Sequence, residues 1–91
     1  MKNEYKYLIL NNLYEIQKLQ NSKKQGVEID FLAKRTNKTY KDTYNLCYQA
    51  KRNTFINMCK IKERVILVSF TKRGLDRIKW IRKQNNQFII Y

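Results

Sequence analysis

Apolar side chains recur every three or four residues through the first stretch of the chain, at Tyr5, Leu8, Ile9, Leu13, Ile16 and Leu19. That spacing marks one face of a 3.6-residue helix and predicts a helix over residues 3–20. Leu10 and Tyr14 fall beside the stripe and widen it. So wide a stripe serves either a core alone or a core and a second subunit together. The polar run 20–26 ends in Gly26, has no periodicity, and reads as a loop. Val27-Glu28-Ile29 alternates and predicts a very short strand. Asp30 stands where an N-cap would, ahead of a short helix over 31–35 with Leu32 and Ala33 inward. Thr36-Asn37-Lys38 breaks that helix, with Asn37 suited to the left-handed conformation of a tight turn. Thr39 is a second N-cap, opening a longer helix from Tyr40 to about residue 53. Its inward positions at helical spacing are Tyr40 or Thr43, then Cys47 and Ala50.

From Phe55 the period falls to two. Ile56, Met58 and Lys60 alternate with Asn57, Cys59 and Ile61, and a β-branched apolar run follows at 65–70. The charged break Lys62-Glu63-Arg64 between them predicts a β-hairpin. Thr71 caps a last helix whose apolar face is Leu75, Ile78 and Ile81, with Trp80 to one side. Residues 84–87 are polar, and Phe88-Ile89-Ile90-Tyr91 forms an apolar tail. Such a tail on a charged protein calls for cover, from the first helix or from a partner chain.

Composition narrows the chemistry. Ninety-one residues make one domain, with no room for a second core. Twenty Lys and Arg against seven Asp and Glu leave a formal charge of +13, well beyond what solubility requires. The excess points to an anionic partner, nucleic acid or an acidic membrane surface, and it is concentrated in residues 46–91. Histidine is absent and glycine occurs only twice, so the commonest general base, the commonest metal ligand and a glycine-rich phosphate loop are all missing. The seven carboxylates are scattered, and no nucleophile–base pair is visible. A binder without cofactor, rather than an enzyme, is expected. Cys47 and Cys59 lie twelve residues apart without other soft ligands nearby, which argues against zinc. Both are expected as reduced, core-filling residues, a disulfide being the alternative. No stretch approaches the ~20 apolar residues of a bilayer span, and residues 1–12 lack the apolar region of a signal peptide. An intracellular protein is expected, cytoplasmic or inside a host cell if viral, with no membrane partner.

Helix, short strand, helix, tight turn, helix, hairpin, helix is an order that resembles the winged helix-turn-helix domain. Phe31-Leu32-Ala33-Lys34-Arg35, the cap Thr39, Phe55-Ile56 entering the hairpin, and Val68-Ser69-Phe70-Thr71-Lys72-Arg73-Gly74-Leu75 leaving it carry the resemblance. Asn53 stands where many such domains have glycine before the hairpin, and it tolerates positive φ. The resemblance implies an α+β fold, with a three-helix core, a β-hairpin wing and an extra C-terminal helix in a single domain 1–91. Its parts would be an N-terminal helix at 1–20, the helix-turn-helix at 30–53, the wing at 55–70, and the C-terminal helix and tail at 71–91. It further implies binding to double-stranded DNA, with helix 40–52 in the major groove. The face of that helix turned to DNA would show Tyr40, Lys41, Tyr44, Asn45, Tyr48, Lys51 and Arg52, with Asp42 off it. Lys34, Arg35, Lys38 and Thr39 around the turn would meet backbone phosphate. Lys60, Lys62 and Arg64 in the wing would reach the minor groove or nearby phosphates. The expected function is a homodimeric, sequence-specific transcription regulator, paired through the first and last helices and the tail. The alternatives are a non-specific architectural DNA- or RNA-binding protein, and a protein–protein adaptor with a winged fold.

Overall fold

The computed structural model describes residues 2–20 and 26–89. Four helices and three strands follow in the order α1 (Lys2–Gln20), β1 (Val27–Glu28), α2 (Ile29–Thr36), α3 (Tyr40–Arg52), β2 (Ile56–Lys62), β3 (Val65–Phe70) and α4 (Lys72–Ile89). This is the winged helix-turn-helix fold. The loop expected over 20–26 and the end of the apolar tail at 90–91 lie outside the described residues, apart from the loop's own end residues.

The hairpin is part of a three-stranded antiparallel sheet ordered β1-β3-β2. Val27 pairs with Val68, and β2 pairs with β3 from Ile56 opposite Phe70 to Lys62 opposite Val65. Side chains alternate across a strand, so Ile56 and Met58 share the inner face with Ile66, Val68 and Phe70, and all five join the core. The outer face takes Asn57 and Cys59. Cys59 is therefore exposed, contrary to its expected place in the core, while Cys47 is buried and both thiols are free. The alternation that places Met58 inside necessarily turns Cys59 out.

All four helices close over that face. Ile9, Leu10, Leu13 and Ile16 of α1 meet Ile29 and Leu32 of α2, Cys47 and Ala50 of α3, and Ile78 of α4. Leu10 is core rather than margin, and Leu19 at the end of the stripe is 77% exposed, so the inward face of α1 is rotated from the predicted one and ends at Ile16. The side chain of Tyr5 lies outside what is described. Polar ties lock the outside of this joint. Arg35 donates to Asn12 Oδ1 and Glu15 Oε1, each at 3.1 Å, and Arg82 approaches Glu15 Oε2 at 3.6 Å while donating to Asn11. Glu15 thus bridges α1 to both α2 and α4.

Two helix ends differ from expectation. Asp30 is not the N-cap of α2; Glu28 holds that position without a side-chain cap bond, and Asp30 sits in the first turn, paired with Lys34 at 3.4 Å. The helix starts earlier because Ile29 is drawn into the core. At the other end, α4 runs through the polar residues 84–87 without interruption. Nothing in that run is a helix breaker: it has no glycine or proline.

Candidate nucleic-acid interface

The turn between α2 and α3 is set by one residue. Asn37 adopts φ 59°, ψ 43°, and its N–H reaches Lys34 O at 3.3 Å while Lys38 N–H reaches Ala33 O at 2.9 Å. These paired bonds satisfy the carbonyls orphaned at the helix end. Thr39 then caps α3, its hydroxyl accepting from Asp42 N–H at 3.1 Å. Helix α3 ends by the same device, with Thr54 N–H to Lys51 O at 2.9 Å and Phe55 N–H to Ala50 O at 3.0 Å. Here the left-handed residue is Thr54, at φ 62°, and not Asn53, whose φ is −90°. The chain turns one residue later than the sequence suggests, with the left-handed position at Thr54 bringing Phe55 N–H onto Ala50 O. Thr71 fastens α4 to this corner. Its hydroxyl donates to Thr54 O, its N–H to Phe55 O, and it accepts from Gly74 N–H at 3.0 Å as the predicted N-cap.

Helix α3 buries Thr43, Leu46, Cys47 and Ala50. Leu46, absent from the predicted inward set, is three residues from Thr43 and four from Ala50, a spacing that would have revealed it. At about 100° per residue, Lys41, Asn45, Tyr48 and Arg52 lie diametrically opposite the buried side, and all four are exposed. Tyr44 and Lys51 flank that meridian and are exposed as well. Asp42, the only carboxylate in α3, falls about a quarter-turn away on the other flank. The outward set expected from the sequence is thus gathered on one surface, with one exception. Tyr40 is half-buried, packs against the core, and donates from its hydroxyl to Arg64 O at 3.4 Å.

Arg64 is that bond's other end, and its guanidinium lies 5.2 Å from the centre of the Tyr40 ring. Arg64 and Glu63 form the whole wing turn, with Arg64 at φ 66°. Lys60 and Lys62 lie in the wing but outside its turn. They belong to β2, exposed, with an irregularity in the pairing between them. Of the residues near the helix-helix turn, Lys34 is exposed and paired with Asp30, Lys38 is half-buried, and Arg35 points at α1. Arg35 is therefore not collected with the other cations. Its binding to Glu15 was invisible in sequence because the two are twenty residues apart.

The buried Cys47 thiol is pushed up to about 12 from 9.0, because burial disfavours the thiolate. It is a packing residue and not a nucleophile. Among the described residues, no group of three or more Cys, Asp or Glu is placed to hold a metal ion, and no helix is long and apolar enough to cross a membrane. On the outer face of α4, Phe55, Arg73, Asp76, Arg77 and Trp80 line an open cleft of about 480 Å³. Arg73 stacks over Phe55 and Arg77 over Trp80, each at 5.4 Å.

Set beside known proteins, the chain has structural neighbours. No family model matches it, and no curated protein sequence does. Among solved structures, AF1382 from Archaeoglobus fulgidus superposes with a TM-score of 0.74 at 12% identity, covering 97% of this chain and 90% of that one. MepR, a transcription regulator of the Staphylococcus aureus multidrug efflux pump MepA, superposes in its DNA complex with a TM-score of 0.71 at 21% identity, over 97% of this chain. The PcaV transcriptional regulator from Streptomyces coelicolor gives 0.64 at 18% over 92%. The chain spans 62% of the MepR chain and 58% of the PcaV chain. These likenesses establish the fold.

Proposed function

We propose that this protein is a transcription regulator that binds double-stranded DNA sequence-specifically as a homodimer. Helix α3 enters the major groove, and the wing lies on the adjacent backbone or minor groove. The observation that carries the reading is the outward face of α3. Lys41, Asn45, Tyr48 and Arg52 project from the side opposite the buried one, on a helix capped and braced at both ends. An α-helix with its side chains fits the major groove, where Asn pairs bidentately with adenine and Lys or Arg with guanine. The neighbours with this fold include a transcription regulator solved as a DNA complex, MepR, which supports the same reading. The net charge of +13 supplies the sequence-independent attraction to phosphate. Lys34, Lys38, Lys51, Lys60, Lys62 and Arg64 are the backbone contacts, with Thr39 at the helix start. Arg35 is better read as a brace between α1 and α2. The homodimer forms through α1, α4 and the tail, where Leu19 and Trp80 are large apolar side chains left 77% and 54% exposed. The place of such work is the interior of a cell, cytoplasmic or that of a host.

The test is selection of bound sites from random duplex, followed by salt titration on the selected and a scrambled duplex, with the particle mass measured alongside. Both affinities fall with salt, and the selected site stays preferred by ~10³-fold or more. Asn45→Ala removes that preference while leaving non-specific affinity. Equal affinity for both duplexes makes the protein an architectural nucleic-acid binder, and no duplex binding at about 0.1 M salt makes it an adaptor.

A further inference from the structure

We infer that Tyr44 and Tyr48 read the 5-methyl groups of thymines, so that the preferred half-site carries a short run of A·T pairs beneath the middle of α3. This rests on the DNA-binding reading above and specifies what that face reads. Three tyrosines lie on α3 at four-residue spacing, Tyr40, Tyr44 and Tyr48, and the structure separates them. Tyr40 is committed to the wing through its hydroxyl and through the Arg64 guanidinium over its ring. Tyr44 and Tyr48 instead stack on each other, with ring centres 6.5 Å apart and planes within 6° of parallel. They remain 36% and 46% exposed. Together they form an apolar rib along the outward side of the helix, beside Asn45.

The floor of the major groove offers such a rib one apolar partner. Guanine, cytosine and adenine present only donors and acceptors there, whereas thymine presents its methyl group. An aromatic ring set against a polar base edge would desolvate it without a hydrogen bond in return. Set against a methyl it gains contact instead. The 6.5 Å between ring centres spans about two base-pair steps of ~3.4 Å, so the rings serve different base pairs. Asn45, one residue beyond Tyr44, lies beside them with a side chain suited to adenine. No carboxylate shares this surface to accept from the cytosine amino group, since Asp42 is on the other flank.

The experiment uses the full chain and its selected duplex, with each thymine replaced in turn by uracil, which deletes only the methyl. Binding is measured for the native chain and for Tyr44→Phe, Tyr44→Ser, Tyr48→Phe and Tyr48→Ser. Two or more uracil positions should each weaken native binding about fourfold, the value of one buried methyl group. The Phe variants should keep that discrimination, and each Ser variant should lose it at its own position. Uracil substitutions without effect, in a chain that still prefers its site to scrambled duplex, overturn the inference and leave the DNA-binding reading standing. Phe variants that lose discrimination as Ser variants do overturn it also, by assigning the contact to the hydroxyls. Failure to select any site removes both readings together.

Discussion

Gly74→Ala sets two effects of opposite sign against each other. Gly74 is the third residue of α4. In a helix, Gly→Ala ordinarily stabilises by up to about 1 kcal/mol, since alanine loses less backbone freedom on folding. In this fold the new methyl would lie 1.7 Å from the Phe55 carbonyl oxygen and 2.6 Å from its carbon. Both are backbone atoms of the corner between α3 and the wing, so no side chain can swing aside. The helix would have to retreat by roughly 1.3 Å to restore even a 3.0 Å contact, and overpacking of that kind costs about 1–3 kcal/mol. Retreat also strains three bonds that hold α4 to the corner, those of Thr71 to Thr54 O, Phe55 O and Gly74 N–H. Each is worth about 0.5–1.5 kcal/mol. The clash outweighs the propensity gain, and the expected outcome is a loss of about 3 kcal/mol, a large share of the ~5–15 kcal/mol that holds a domain together. Urea unfolding followed by circular dichroism measures it, as a lower midpoint at unchanged slope. Asp76→Ala, two residues on and exposed, should change stability by no more than about 0.5 kcal/mol. A Gly74→Ala chain as stable as the native one would mean that α4 does not approach the hairpin root as described.

Burial holds the Cys47 thiol at about 12, against 9.0 when unfolded, so only the unfolded chain ionises it between those values. The stability this residue supplies is whole below pH 9 and is lost as pH rises toward 12, by up to about 1.4 kcal/mol per pH unit. The stability gap between the native chain and Cys47→Ala should narrow over that window, and a constant gap in unfolding experiments at several pH values would contradict it. Thr54 is β-branched in a left-handed conformation, so Thr54→Asn should raise the stability by up to about 1 kcal/mol, read as a higher unfolding midpoint. Asn37→Ala should lower the stability by a similar amount, and an unaltered midpoint there would show the turn to be unstrained. Arg64→Asn keeps the left-handed wing residue and removes one cation, so DNA affinity should fall uniformly across sequences and the salt slope should drop by about 1. An unchanged slope would place the wing away from DNA.

The helices and the hairpin were legible because each has its own period: 3.6 along α1, α3 and α4, and 2 along β2 and β3. The capping threonines and Asn37 were legible for a related reason, since their chemistry is local. What escaped was decided at longer range. Cys59 looks as apolar as Cys47, and only the pairing of β2 with β3 sends it outward. Asp30 is a good cap by type, but burial of Ile29 starts the helix one residue ahead of it. Arg35 was grouped with DNA-facing cations because sequence shows the charge of a residue and not its partner. Tyr40, offered by the sequence both as an inward and as an outward position, is half-buried, and its bond to Arg64 across twenty-four positions escaped likewise. The outward set of α3 survived because its buried and exposed sides are fixed by one helix's own periodicity.

The positive charges divide into two populations with different consequences. Those near α1 are neutralised within the fold: Arg35 and Arg82 share Glu15. At 34–40% side-chain exposure the Glu15 pairs are worth little as energy, and their effect is to orient α2 and α4 on α1. The second population, Lys41, Lys51 and Arg52 on α3 with Lys60, Lys62 and Arg64 on the wing, faces only Glu63 and the off-face Asp42 among the described residues of the same elements. Those charges repel one another in the free protein and so lower its stability. A polyanion laid across them removes that repulsion, and to the extent that it binds the folded state more tightly than the unfolded chain it shifts the folding equilibrium toward the native form. The arrangement that weakens the isolated domain is therefore the one suited to an anionic partner. Sequestering Arg35 and Arg82 keeps the repulsion away from the joint that aims α3.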